Sequence, residues 1–187
     1  MIGELTPDVL RGIPLFENLS HADLQPLLAA CEIREYPADV LILRAGDSEQ
    51  ALFVVLEGEA DVRFETMLHE GESVGILPPK AVFGESSFFH PAPHHANVVA
   101  TQPTTVLRLS REAYDQLIAQ GDKATLRLAA HVASILARRL QATDEWVVQM
   151  LREREDQTVA HSWRRFRSRM GSSIDFQTSF MGLGAHT

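Results

Sequence analysis

The chain has 187 residues, 45% hydrophobic and 22% charged, with a formal net charge of −8. That is one domain plus an extension, with enough apolar content for a sizeable core. A single cysteine, Cys31, excludes an internal disulfide and a zinc site built on thiolates, and it fits a reducing compartment. The acid excess lies in residues 1–150 and speaks against broad nucleic-acid binding by the main domain, whereas 151–187 is mildly basic. Met1–Leu10 has neither a basic head nor an apolar run. No later stretch is long enough to cross a bilayer, so a cytoplasmic protein is expected.

Residues 1–32 read as a helical region. Ser20 followed by Asp23 resembles a capping box, and Leu24, Leu27 and Leu28 then repeat at helical spacing. Pro26 is early enough to be tolerated with a bend, and Cys31 is expected at the end of this core helix. From Ile33 the texture changes to short apolar runs between turn signals. Val40–Leu43 precedes Ala45-Gly46-Asp47, and Leu52–Leu56 precedes Glu57-Gly58-Glu59. Val62 and Phe64 precede a Gly/Glu stretch around Gly71, and Val98-Val99 and Val106-Leu107 follow. Strands at this spacing predict an all-β sandwich or barrel over 33–121. Pro78-Pro79 and Pro91-Ala92-Pro93 bracket a loop and a short helix. Ser110 caps a further helix, with Glu112 at its start and Leu117 and Ile118 facing inward, and Gly121 breaks it.

From Asp122 to Met170 there is no Gly and no Pro. Leu126, Ala129, Ala133, Leu136, Leu140, Thr143, Val147 and Met150 follow alternating 3,4 spacing, a heptad seam with one polar member. A helix of this length exceeds what a small barrel covers. The seam therefore predicts a homodimer through residues 126–150, with packing on the chain's own β-domain as the alternative. The long helix is placed at 122–170, and the Gly/Ser-rich 171–187 reads as a flexible tail.

Phe83-Gly84-Glu85, followed by Ser86-Ser87-Phe88-Phe89 and then His94-His95-Ala96-Asn97-Val98-Val99-Ala100, resembles the phosphate-binding cassette of cyclic-nucleotide-binding domains. Leu15-Phe16 with Leu19 and Leu24 is similar to that family's entry helix, and Gly46-Asp47 and Gly58 stand at its β-roll turns. The last helix resembles the dimerising helix of catabolite-activator-like regulators. The resemblance covers residues 10–150. It implies a mainly β fold with flanking helices, a double-stranded β-helix (β-roll or jelly roll) plus a long C-terminal helix. It also implies a cyclic nucleotide as ligand, with cAMP favoured over cGMP and no further cofactor. The glycine lets backbone approach the ligand, Glu85 accepts from the ribose hydroxyl, and the Gly84 and Ser86 backbone lines the cassette. The purine lies under the last helix, where Ser134, Arg138 and Gln141 are the candidates to touch it.

The chain departs from the family pattern at the phosphate. His94 stands where the family has arginine, and His95 where it has Ser or Thr. Lys80 stands for the glycine before Phe83, and Ser87 for alanine. Imidazole, with an ordinary pKa of about 6.5, is mostly neutral at pH 7 and cannot fork onto two oxygens. Losing a charged hydrogen bond costs about 1.5–3 kcal/mol, about ten- to over a hundredfold in affinity. The alternative is the same fold with a non-binding pocket, acting as a protein-interaction scaffold. A third reading, a metal-dependent cupin-like enzyme using His90, His94 and His95, is weakened by the missing His-x-His spacing. No catalytic set is visible, so no enzyme is expected.

The 36 residues after Leu151 are too few for the winged helix-turn-helix of the catabolite-activator-like factors, so sequence-specific DNA reading is not expected. The segment 161–170 holds four arginines, no acids and two aromatics. It suits an acidic protein partner, nucleic acid or an anionic surface, or else a solvated helix end.

Overall fold

A computed structural model describes residues 6–10, 12–64, 72–154, 163 and 165. The chain divides into two compact units, 1–135 and 136–187. The first unit is built on two four-stranded antiparallel sheets. One orders β1 (Cys31–Tyr36), β8 (Thr104–Ser110), β3 (Ala51–Glu57) and β6 (Val82–Phe83). The other orders β2 (Leu41–Leu43), β7 (Asn97–Ala100), β4 (Ala60–Phe64) and β5 (Glu72–Leu77). This is the expected mainly β roll, with a long C-terminal helix.

β3 explains how the layers are held. Ala51 to Val55 are all buried, a continuous apolar run of the kind that a strand covered on both faces requires. Phe53 and Val55 face the space between the sheets, together with Ile42, Leu43, Ala60, Phe83, Val98 and Val106. Leu52 and Val54 lie on the opposite face with Leu107 and Leu109, against Leu15, Phe16, Leu27 and Leu128 of the helical layer. The roll therefore has one core between its sheets and a second under its helices.

The helical layer comprises α1 (Pro7–Leu10), a 3-10 turn (Pro14–Phe16), α2 (His21–Ala30), α4 (Arg111–Ala119) and the start of α5 (Lys123–Arg154); α3 (Glu85–Phe89) belongs to the roll. α2 carries the expected capping box. Asp23 N donates to Ser20 Oγ at 3.2 Å, and Ser20 N donates to Asp23 Oδ2 at 3.0 Å. These bonds from Ser20 hold the Asp23 carboxyl below its ordinary pKa. Pro26 lies inside the helix, which nevertheless continues to Ala30. Cys31 corrects the sequence reading. It opens β1, opposite Leu109, and does not lie in a helix. Burial, and then the neighbouring Glu32 charge, pushes its thiol up to about 12, which removes it as a nucleophile.

Two rows of side chains interleave on α5. Ala124, Leu128 and Val132, at i, i+4 and i+8, are buried with Thr125. Leu128 of this row packs against Leu52, Val54, Leu107 and Leu109 of the roll, and the row is not the 3,4 seam. On the seam, Leu126 is 60% exposed and Ala133 is exposed. In the second unit Leu140 is 46% exposed and Thr143 is exposed, while Leu136, Val147 and Met150 are half-buried. Ala129 of the seam is half-buried as well. The expected helix beyond Arg154, the basic segment and the tail lie outside the described residues, except for Trp163 and Arg165, both helical. No helix among the described residues is long and apolar enough to cross a membrane.

Asp61 of β4 is a buried charge with a measurable consequence. Arg63 Nε donates to its Oδ2 at 2.8 Å and Ser73 Oγ to its Oδ1 at 2.6 Å. Burial alone would raise this carboxyl's pKa, but the bonds from Ser73 and Arg63 outweigh it and the net shift is downward. A depressed carboxyl contributes stability above the ordinary carboxylate range and loses it as pH falls through the folded value. Asp61→Asn is expected to lose about 1–3 kcal/mol at pH 7. The gap from wild type should narrow in urea titrations at strongly acid pH.

Candidate ligand-binding site

The site begins where β6 leaves the sheet. Phe83 pairs with Phe53 of β3, and their rings stack with centroids 5.0 Å apart. The chain then turns at Gly84, with φ +78° and ψ −1°, and enters α3. A Cβ here would stand 2.5 Å from the Ala51 carbonyl oxygen and 3.0 Å from Phe53 Cδ2. Glycine is thus required both by the backbone angle and by the close approach of β3. Within α3, Glu85, Ser87 and Phe88 are buried and Ser86 is exposed.

The turn before β6 accounts for Lys80. Ala81 N donates to the Pro78 carbonyl at 3.0 Å, Pro79 occupies the second position, and Lys80 has φ +75° in the third. This is the geometry of a type II turn, whose third position favours glycine. Lys80 therefore sits at a glycine position, at a backbone cost of about 1–2 kcal/mol.

The opposite wall comes from the loop that leads into β7. His94 N donates to the Asp47 carbonyl, and Gly46 N donates to the His94 carbonyl, both at 2.9 Å. Ala45 N donates to Asn97 Oδ1 at 2.8 Å. The β2–β3 turn thus clamps the loop from both sides of His94. The His94 residue is only 9% exposed. Its Nδ1 lies 3.0 Å from Ser87 Oγ, and Ser87 Oγ donates to the Gly84 carbonyl at 3.2 Å. Its Nε2 is buried and has no hydrogen-bond partner. Buried polar atoms in this condition are rare and require an explanation.

Of the residues proposed from sequence, the fold brings together Phe83, Gly84, Glu85, Ser87 and His94. His90 and His95 are exposed and Ala96 is half-buried. Ser134 is exposed, and its hydroxyl donates to the Ala130 carbonyl of its own helix at 3.0 Å. Arg138 and Gln141 belong to the second unit, and both are exposed. Among the described residues, no three His, Cys, Asp or Glu side chains gather as a metal-binding group.

Sequence reasoning missed the support behind the cassette. Arg111 Nη1 donates to the Phe88 carbonyl at 2.9 Å, and its guanidinium carbon lies 5.8 Å and 5.6 Å from the centroids of Phe88 and Tyr114. The Phe88 ring meets Phe89 and Tyr114 edge-on, at 4.9 and 5.2 Å. Arg111 follows the helix cap Ser110, where a basic residue gives no local signal of such a role.

Residues 33–121 match the family described as "Cyclic nucleotide-binding domain". The β-roll is a cyclic nucleotide-binding domain. The chain is 36% identical over 137 residues to the cyclic AMP receptor protein of Thermus thermophilus, covering 72% of this chain and 61% of that protein. It is 32% identical over 134 residues to a cAMP-dependent protein kinase regulatory subunit of Mycosarcoma maydis, covering 72% of this chain and 24% of the relative. The chain thus spans less than two thirds of these relatives. Among solved structures, the Thermus thermophilus catabolite activator protein superposes with a TM-score of 0.64 at 31% identity, covering 73% of this chain and 62% of that one. A cyclic nucleotide-binding domain from Methylobacillus flagellatus shares the fold with a TM-score of 0.68 at 24% identity, covering 76% and 80%. The same kind of match also falls on 20% of a glutaminase of Bradyrhizobium diazoefficiens, at 31% identity. The segment from Phe83 to Ala100 lies within the matched residues.

Proposed function

We propose that this chain is a cyclic-nucleotide-responsive regulatory module, with cAMP favoured over cGMP, that signals through a homodimer of α5. The observation that carries the reading is the folded cassette. Gly84 is held in its left-handed turn against β3, Glu85 is buried, and Ser87 meets His94 across the gap. In this arrangement the Glu85 carboxylate accepts from a ribose hydroxyl, and the cassette backbone and His94 meet the phosphate. The purine is directed to the first part of α5, with Ser134 as its candidate contact there. The preference for cAMP follows the names of the two relatives above. The exposed seam residues Leu126 and Leu140 support pairing of two copies. Signalling then requires only that the nucleotide bind one placement of α5 better than another. The chain uses no catalytic group for this, and its partner is a protein engaged by the helix or the basic segment.

Calorimetric titration of wild type and Glu85→Ala with cAMP and cGMP tests the reading. The expected result is micromolar binding of cAMP, weaker binding of cGMP, and loss of both in the variant. Sedimentation with and without cAMP tests the dimer, and a monomer at every concentration removes that half. The absence of heat with either nucleotide from acid to alkaline pH would favour a non-binding scaffold.

A further inference from the structure

Resting on the nucleotide-binding reading, we infer that His94 Nε2 takes up a proton from solvent as the nucleotide binds, so that affinity is coupled to pH. We assign the tautomer in which Ser87 keeps its bond to the Gly84 carbonyl, a group that can only accept. A serine hydroxyl has one hydrogen, and that of Ser87 is donated to the Gly84 carbonyl. Ser87 Oγ therefore accepts from His94, and the hydrogen of the neutral ring sits on Nδ1. Nε2 is left as a bare lone pair, buried and without a partner.

A phosphodiester offers only acceptor oxygens to this lone pair, so contact between them is repulsive while the ring is neutral. One added proton turns Nε2 into a charged donor, and the hydrogen bond to phosphate then has the strength of a charge-assisted pair. Charge balance points the same way. From Ala81 to Leu107 the chain carries neither Lys nor Arg. The titratable groups on the segments packed against His94 are Glu85 on α3, Arg44, Asp47 and Glu49 between β2 and β3, and His90 and His95 on its own loop; Glu49 is paired with Arg108 at 2.7 Å. Arg44 and Asp47 are both exposed and of opposite sign. A phosphate monoanion held at His94 is therefore met by a positive charge from the segment Ala81 to Leu107 only when the His94 ring is protonated. The phosphodiester stays ionised throughout the neutral range, so the proton goes to the protein.

Titration of the full chain with cAMP at pH 7, in buffers of different ionisation enthalpy, counts the protons exchanged. The expected result is uptake of up to one proton per site, with the Kd falling by up to about tenfold from pH 8 to pH 7. His95→Gln and His90→Gln should retain the uptake. His94→Gln should lose it and bind more weakly. His94→Arg should bind tightly with no proton exchange, which also shows that the pocket tolerates the change. Binding by wild type without proton uptake, or uptake that survives in His94→Gln, overturns the inference and leaves the nucleotide reading standing. If wild type binds at no pH and only His94→Arg binds, the inference fails and the pocket is nucleotide-shaped but silent. If neither binds, both readings fail.

Discussion

Gly84→Ala is expected to destabilise the β-roll by about 2–5 kcal/mol and to remove nucleotide binding. Two costs add. A left-handed backbone costs an alanine about 1–2 kcal/mol. The new methyl would also stand 2.5 Å from the Ala51 carbonyl oxygen and 3.0 Å from the Phe53 ring. Neither neighbour yields easily, because Ala51 is backbone of the central strand and Phe53 is fully buried in the core. Overpacking of this kind adds about 1–3 kcal/mol. Gly46→Ala is the matched control. Gly46 has φ +87°, and nothing lies within 4 Å of its added Cβ, so only the backbone cost applies. Urea denaturation of the two variants should therefore separate by the overpacking cost alone. Equal destabilisation would mean that the chain at β6–α3 shifts to make room, and the cassette would not be rigidly held against β3.

The features most legible in the sequence are those set by near neighbours. The Ser20–Asp23 capping box is complete within four residues, and it forms as read. The apolar runs of β2, β3, β7 and β8 announced themselves by composition. β5 did not, because its apolar residues Val74 and Ile76 face outward, 55% and 50% exposed, with Gly75 between them. A strand with that pattern on an edge reads as a turn next to Gly71. Cys31 reads as part of the preceding helix because an apolar residue at a helix–strand junction suits either element. On α5 the 3,4 spacing of larger side chains masked the small residues of the inward row, Ala124 and Thr125, which only the roll itself selects.

The site divides in the same way. Phe83-Gly84-Glu85 is a local word and could be read. Three histidines in one loop look alike in sequence, yet only His94 is buried among them. What singles it out is the clamp from Gly46 and Asp47 and the hydroxyl of Ser87, all contacts across the fold. The bond from Arg111 to the Phe88 carbonyl spans 23 residues and has no trace in the pattern.

That bond leads to the second large effect. Phe88 is completely buried, and Phe88→Ala is expected to cost about 3–5 kcal/mol, the range for emptying an aromatic site. Phe88→Leu keeps most of the volume but gives up the edge-on contacts with Phe89 and Tyr114 and the Arg111 cation over the ring. It should cost about 1–3 kcal/mol. The second variant is the informative one, because Phe88 joins the cassette to the helices. Its carbonyl is held by Arg111 at the start of α4, and its ring rests on Tyr114 one turn further on. α4 runs into a tight corner where Gly121 N donates to Ile118, Asp122 N donates to Leu117, and Asp122 accepts from Thr125 N at the start of α5. A displacement of α3 by a ligand at Glu85 therefore has a packed path to α5. Phe88→Leu should leave cAMP affinity within a few fold of wild type and reduce the change in amide exchange that cAMP produces in α4 and the first turns of α5. If that change persists in full, the path does not run through this ring, and coupling must pass by another contact between the roll and α5, with the row Ala124, Leu128 and Val132 the next place to look.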